Sequence, residues 1–253
     1  MTFAGENTPG SVHIGTSGWS YAHWAGVFYP GDIKPAKYLE YYTTRFSCVE
    51  LNSSFYHLPS ESTVKGWLNR TPASFIFCPK FSRYVTHELH LMNADEATER
   101  FFEVFSELKP KLGPVLIQLP PSMKYDEPLV LSFLGILKEK YSSFRFAVEI
   151  RNKSFLSDKF FNLLNSYNMA FVIADSGNRY PYSEVVTAGF IYIRFHGREN
   201  LYASDYNDDI LREYAEKIKK WNHEGKEVWV FFNNDFHGYA VKNALSLMKM
   251  LNS

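Results

Sequence analysis

The chain has 253 residues, enough to bury a large core, and with 45% hydrophobic and 17% aromatic residues it is not a disordered protein. Its 27 Lys and Arg balance 27 Asp and Glu, so no global field draws it toward nucleic acid or an anionic membrane. Two cysteines, Cys48 and Cys78, are too few for a disulfide framework and point to free thiols in a reducing cytoplasm.

No apolar run reaches the roughly 18 residues that a spanning helix needs, so no membrane partner is expected. Residues 1–11 lack the basic start and apolar stretch of a signal peptide and are expected to form a flexible N-terminus. Val12–Ser17 reads as a strand, followed by a Gly-punctuated loop carrying Trp19, Tyr21, Trp24, Phe28 and Tyr29. Pro35–Arg45 reads as a helix with Pro35 in its first turn, and Cys48–Asn52 as the next strand. Glu61–Asn69 follows as a helix and Phe75–Lys80 as a strand.

A connection over Phe81–Ala94 leads to a helix over Asp95–Leu108. Gly113–Leu119 is a strand stopped by Pro120 and Pro121, and Leu129–Tyr141 is a helix. Phe144–Arg151 and Ala170–Asp175 are strands on either side of a helix over Asp158–Tyr167. A short helix near Tyr182–Val186 precedes the strand Phe190–His196, and an amphipathic helix over Asp208–His223 precedes the strand Val228–Asn233. Tyr239–Leu251 is the last helix. About eight strand–helix units with no linker between them predict an α/β fold with parallel pairing. The expectation is one (β/α)8 TIM-barrel domain over 12–253. No Gly-x-Gly-x-x-Gly follows the first strand, which argues against a dinucleotide fold.

Barrel chemistry sits where strands end, and those ends carry Glu50 and Asn52, Lys80, Gln118, Glu149 and Arg151, Asp175, Arg194 and His196, and Asn233. Glu50 and Glu149 are candidate bases, and His196 is the candidate for proton transfer near neutral pH. Asn52, Tyr56, Lys80, Gln118, Arg151, Asp175, Arg194, Asn233, Asn234 and Trp19 are candidate substrate contacts. Arg151 and Arg194 offer planar forks for phosphate or carboxylate, and the loops Gly197–Tyr206 and Asn234–Gly238 offer backbone amides. The blander alternative is a buried ion network that neutralises itself, with Lys80 the expected partner of Glu50.

The aromatic loop is either a stacking surface or a plug at the rim. Glu50, Glu149, Asp175 and His196 form a set suited to Mg2+ or Mn2+, but the neighbouring arginines oppose it, and no tightly bound metal is expected. No nucleotide-cofactor motif is present, and Cys48 and Cys78 read as small core residues.

GTSGWSY at 15–21, FYP at 28–30, VELNSSFYHLP at 49–59 and TH at 86–87 carry a family resemblance, continued by QLPPS at 118–122, VEIRNKS at 148–154, YIRFHG at 192–197 and FFNND at 231–235. In these motifs the chain resembles the domain-of-unknown-function 72 (YecE-like) family. The resemblance implies a TIM barrel similar to the xylose-isomerase-like and endonuclease-IV-like barrels, without an established activity. The resulting expectation is a cytoplasmic enzyme of hydrolase or isomerase type. It would do acid–base or hydrolytic chemistry on a phosphate- or carboxylate-bearing small molecule at the carboxyl ends of the strands. An endonuclease-IV-like phosphodiesterase or nucleic-acid binder is the alternative, disfavoured by the zero net charge, and a non-catalytic ligand-binding barrel is the third.

Overall fold

Alternation of side chains along eight short strands separates the interior of this chain from the layer under its helices. In the computed structural model, which describes residues 9–252, the strands are β1 (Val12–Thr16), β2 (Cys48–Leu51), β3 (Ile76–Pro79), β4 (Val115–Gln118), β5 (Phe146–Glu149), β6 (Ala170–Asp175), β7 (Phe190–Phe195) and β8 (Glu227–Phe232). β1, β8, β7, β6, β5 and β4 form, in that order, a curled parallel six-stranded sheet, and β2 pairs in parallel with β3. Isolated bridges join the margins: Ser17 with Glu50, Phe77 with Leu112, and Lys80 with Leu116. The fold is therefore α/β and parallel, as the alternation of elements implied. Its regular ladders divide into six strands and two, because the pairing at these margins is confined to single residues.

The helices are α1 (Tyr38–Tyr42), α2 (Ser53–Tyr56), α3 (Glu61–Asn69), α4 (Asp95–Ser106), α5 (Glu127–Lys140), α6 (Asp158–Ser166), α7 (Asp208–His223) and α8 (Tyr239–Leu251). Ser60, Asp126, Ser157 and Asn207 cap α3, α5, α6 and α7, each side chain accepting from the amide three residues on. α7 buries Leu211, Tyr214, Ala215, Ile218 and Trp221 along one stripe. Among the described residues no helix is long and apolar enough to cross a membrane. The helix expected near Tyr182–Val186 is absent, and the β6–β7 connection is irregular. There the Ser183 hydroxyl accepts from the Val185 amide, a local bond that competes with helix. Of the expected flexible segment, residues 1–8 lie outside the described residues, while the Gly10 amide donates to the Asn222 carbonyl at 3.1 Å.

Two apolar layers result. Val49, Leu51, Ile191, Ile193, Phe195, Val228, Val230 and Phe232 pack toward the helices. Their alternates on β2, β7 and β8 belong to a separate inner cluster, with Cys48, Phe190, Tyr192, Trp229 and Phe231 joined by Cys78, Leu116, Ala147, Ala170, Val172 and Ala174. Small residues there complement large rings, which is the use the fold makes of its two buried free cysteines. Gly15 belongs to the same economy of space, since a Cβ there would lie 2.3 Å from the Cys48 carbonyl oxygen. Gly15→Ala must push β1 from β2 and is expected to cost about 1–3 kcal/mol in urea unfolding; an unchanged midpoint would show the contact to be soft.

Candidate functional site

Where the inner cluster ends toward the carboxyl ends of the strands, the inward positions turn polar. The deepest polar layer is centred on Arg194 of β7, which is 1% exposed and bonded to two carboxylates that are fully buried. Its Nε and Nη2 donate to the two oxygens of Glu50 at 3.0 and 2.7 Å, and its Nη1 donates to Glu149 at 2.5 Å. Glu50 also accepts from Ser17 Oγ at 2.6 Å and from the Tyr192 hydroxyl at 2.8 Å. Four donors on two oxygens fill the acceptor capacity of Glu50. Burial by itself would raise the Glu149 carboxyl, but Arg151, Arg194 and His196 outweigh it and hold it well below the usual carboxylate range.

A second layer lies above. Arg151 Nη2 bonds Glu149 Oε1, while its Nε and Nη1 are buried with no partner among the described residues. The Tyr180 ring, from the irregular β6–β7 connection, lies 3.4 Å from the guanidinium carbon, and the Tyr180 and Tyr202 hydroxyls are 3.1 Å apart. Asn52 Nδ2 donates to Asn233 Oδ1 at 3.4 Å, and Asn233 Nδ2 faces His196 Nδ1 at 3.2 Å. This chain assigns the His196 proton to Nε2, which donates to Glu149 at 3.1 Å. Burial, only partly offset by Glu149, lowers the His196 pKa to about 3, so the imidazole is a neutral donor and acceptor near pH 7 rather than a titrating group.

Lys80, which follows β3, does not pair with Glu50 as expected. Glu50 is already saturated, and Lys80 Nζ donates instead to Gln118 Oε1 at 2.8 Å. The Phe55 ring centroid is 3.8 Å from the same nitrogen. Ser54 Oγ donates to the carbonyls of Leu51 and Lys80 at 2.8 and 2.7 Å, which fixes α2 and its Phe55 against the lysine. Burial first, then the Arg194 charge, lower the Lys80 pKa to about 7. Beyond Gln118, its Nε2 faces His87 Nε2 at 3.3 Å, and His87 Nδ1 lies 2.9 Å from Thr86 Oγ1. Burial and the Lys80 charge lower the His87 pKa to about 4.

Glu50, Glu149, Arg151, Arg194, His196, Asn233, Asn52, Lys80 and Gln118 thus come together. Four other predicted residues do not join them. Asp175 lies one residue beyond Ala174, the position level with Arg194, and is held by Arg198, Tyr206 and Tyr214. Asn234 follows the inward Asn233 and donates to Ser204 O and to Asn243 Oδ1, both at 2.9 Å. Trp19 packs edge-on against Trp67 and Phe77 outside the strands, because Gly18, with φ of 92°, turns the chain away after Ser17. Tyr56 is 67% exposed and lines two rim hollows of about 600 and 550 Å³.

The aromatic loop plugs the rim, with Trp24 and Tyr29 fully buried. The amides of Gly197, Glu199 and Asn200 are taken by Tyr206 and Ser204, which corrects the expectation that this loop offers them to a phosphate. The reading missed Ser17, Tyr192, Thr86, His87 and Tyr180. Tyr192 shares the parity of Arg194, and Thr86 and His87 form the TH pair already noted, whereas nothing in the sequence marked Tyr180. Among the described residues no group of three His, Cys, Asp or Glu side chains is placed to hold a metal.

Residues 13–253 match the family described as Protein of unknown function DUF72. The chain belongs to that family. Among its DUF72 relatives it is 27% identical to UPF0759 protein YecE of Escherichia coli K12, with 83% of this chain and 82% of the relative covered. It is 26% identical to UPF0759 protein YunF of Bacillus subtilis, over 95% and 94% of the two chains. The crystal structure of a DUF72 family protein from Thermotoga maritima matches with a TM-score of 0.86 and 32% identity, covering 96% of this chain and all of the other. A DUF72 structure from Enterococcus faecalis shares the fold at a TM-score of 0.81 and 23% identity, covering 96% of both chains.

Glu50→Gln removes half of the countercharge of a buried guanidinium and is expected to cost about 3–5 kcal/mol in urea unfolding. A loss under about 1 kcal/mol would mean that the Arg194 network does not support the fold. Lys80 acts in the opposite sense. Its folded pKa of about 7 lies below the ordinary lysine value of 10.5, so the unfolded chain binds more protons and native stability rises between those pH values. Lys80→Met is expected to be more stable than the parent by on the order of 3 kcal/mol at pH 7, with the gain shrinking toward pH 10. Thermal melts across that range read the difference, and a pH-independent difference would contradict the lowered pKa.

Proposed function

We propose that the protein binds a small molecule bearing a phosphate or carboxylate at the carboxyl ends of its strands, and acts on it by acid–base chemistry. Lys80 and Arg151 are the groups that meet the ligand. The observation that carries this reading is a charge imbalance in the buried cluster. Two carboxylates, Glu50 and Glu149, stand against Arg151, Arg194 and Lys80. Arg194 is committed to both carboxylates, whereas Arg151 keeps two buried donors without a partner among the described residues. An anion between Arg151 and Lys80 would balance the charge and use those donors. Under this proposal the two sheets act together as the eight-stranded (β/α)8 barrel of the sequence-based expectation, with the isolated bridges as its seams. We further propose a cytoplasmic location, in keeping with the two free buried cysteines.

The Lys80 amine faces Arg194, Glu149, Glu50 and Arg151, and only its protonated form adds a charge for the anion. An anion stabilises the ammonium, so binding is strongest below a pH of about 7 and weakens as the amine loses its proton. Sulfate isolates this effect, because its own charge does not change in the range. Calorimetric titration is expected to find its affinity falling roughly tenfold per pH unit above about pH 7, with Arg151→Gln weakening it at least about tenfold at pH 6. An affinity that is flat from pH 6 to 9 and indifferent to Arg151 would refute the site.

A further inference from the structure

Among the described residues, Lys80 is the one cation of the cluster that no carboxylate holds. The oxygens of Glu50 are taken by Arg194, Ser17 and Tyr192, and those of Glu149 by Arg194, Arg151 and His196. The only hydrogen-bond acceptor that the described residues supply to Nζ is a neutral amide oxygen. That amide is locked. Thr86 Oγ1 donates to the Ser82 carbonyl at 3.0 Å, so His87 Nδ1–H donates to Thr86 and His87 Nε2 accepts from Gln118 Nε2–H. Gln118 therefore presents oxygen, not N–H, to the lysine. Its oxygen takes one amine hydrogen and leaves the nitrogen lone pair unoccupied. Phe55 covers one side of Nζ, and the half-buried Gln118, backed by His87, lies against another.

Taking the mouth as the anion site proposed above, we infer that Lys80 is a covalent nucleophile, condensing through Nζ with an aldehyde or ketone carried by the anionic ligand to form an imine. The lone pair adds to the carbonyl carbon and the carbonyl oxygen takes a proton, giving a carbinolamine. The hydroxyl leaves as water after a second protonation, nitrogen gives up its remaining extra proton, and the C=N bond closes. Amine and carbonyl become imine and water with no change of oxidation state. Arg151 Nε and Nη1 are the donors for the phosphate or carboxylate, so the favoured substrates are small oxo acids and aldehyde or ketone phosphates. With a pKa of about 7, a large share of Lys80 is free base at pH 7.5, where an ordinary surface lysine is roughly 0.1% free base.

Borohydride trapping tests this on the full chain. The protein at pH 7.5 is incubated with pyruvate or with glycolaldehyde phosphate, reduced, digested and mapped by mass spectrometry. The expected result is a secondary amine at Lys80 at least about tenfold above any other lysine, lost in Lys80→Arg and suppressed by sulfate. Lys80→Gln gives a second variant, and circular dichroism verifies that each folds. Adducts spread evenly over surface lysines, or equal yields in Lys80→Arg, would overturn the covalent role. Sulfate binding without any Lys80 adduct would also overturn it, leaving the amine as an anion holder or proton carrier and the anion site intact. A Lys80 adduct without sulfate binding would uphold the nucleophile and remove the anion reading. Neither binding nor adduct would dispose of both.

Discussion

A guanidinium buried between two carboxylates is the constraint on which this structure depends. Burying Arg194 without partners would be prohibitive, so β2 and β5 must present Glu50 and Glu149 at matching depth. Those two strands lie in different ladders, one in the sheet of two and the other in the sheet of six. The ion network therefore spans ladders that share only isolated bridges at their margins. It also sets the height at which the interior changes from rings and small apolar side chains to hydrogen-bonding groups.

Above that height the same charges shape reactivity. Arg194 contributes, after burial, to the lowered pKa of Lys80, and Glu149 receives the Nε2 proton of His196. Two histidines that look like acid–base groups are held neutral by burial, and the amine becomes the group that titrates near neutrality. The cluster sets three basic side chains, Arg151, Arg194 and Lys80, against two carboxylates, and this imbalance is what the proposed anion would offset.

Much of this was legible in the sequence, because period-two alternation places Glu50, Glu149, Arg194, His196 and Asn233 on inward positions whatever the register. Partner choice was not legible. Lys80 and Glu50 are close in strand order, yet Ser17, Tyr192 and Arg194 together fill every acceptor site of Glu50, and only three-dimensional packing reveals that competition. Asp175 lies apart from the cluster for a different reason. The residues of β6, AFVIAD, are buried on both faces, as parallel strands between two cores are, so composition does not distinguish inward from outward. Asn234 lies apart likewise, since only one of two adjacent asparagines can face in. Trp19 was displaced by a single left-handed glycine, and where a helix near Tyr182 was expected a local Ser183–Val185 hydrogen bond forms.

The bare connection between β6 and β7 has a dynamic corollary. Every other link between successive strands carries an α-helix, whose displacement would expose apolar surface and break a run of backbone hydrogen bonds. The segment bearing Tyr180 has no such helix. What keeps the ring over Arg151 is a face-on contact, an edge-on contact with His196, a tyrosine–tyrosine hydrogen bond and the Tyr180 amide donating to Ser176 Oγ. Uncovering the guanidinium is thus a local event, separable from unfolding, and amide hydrogens along this segment should exchange with solvent long before those of the strands it joins.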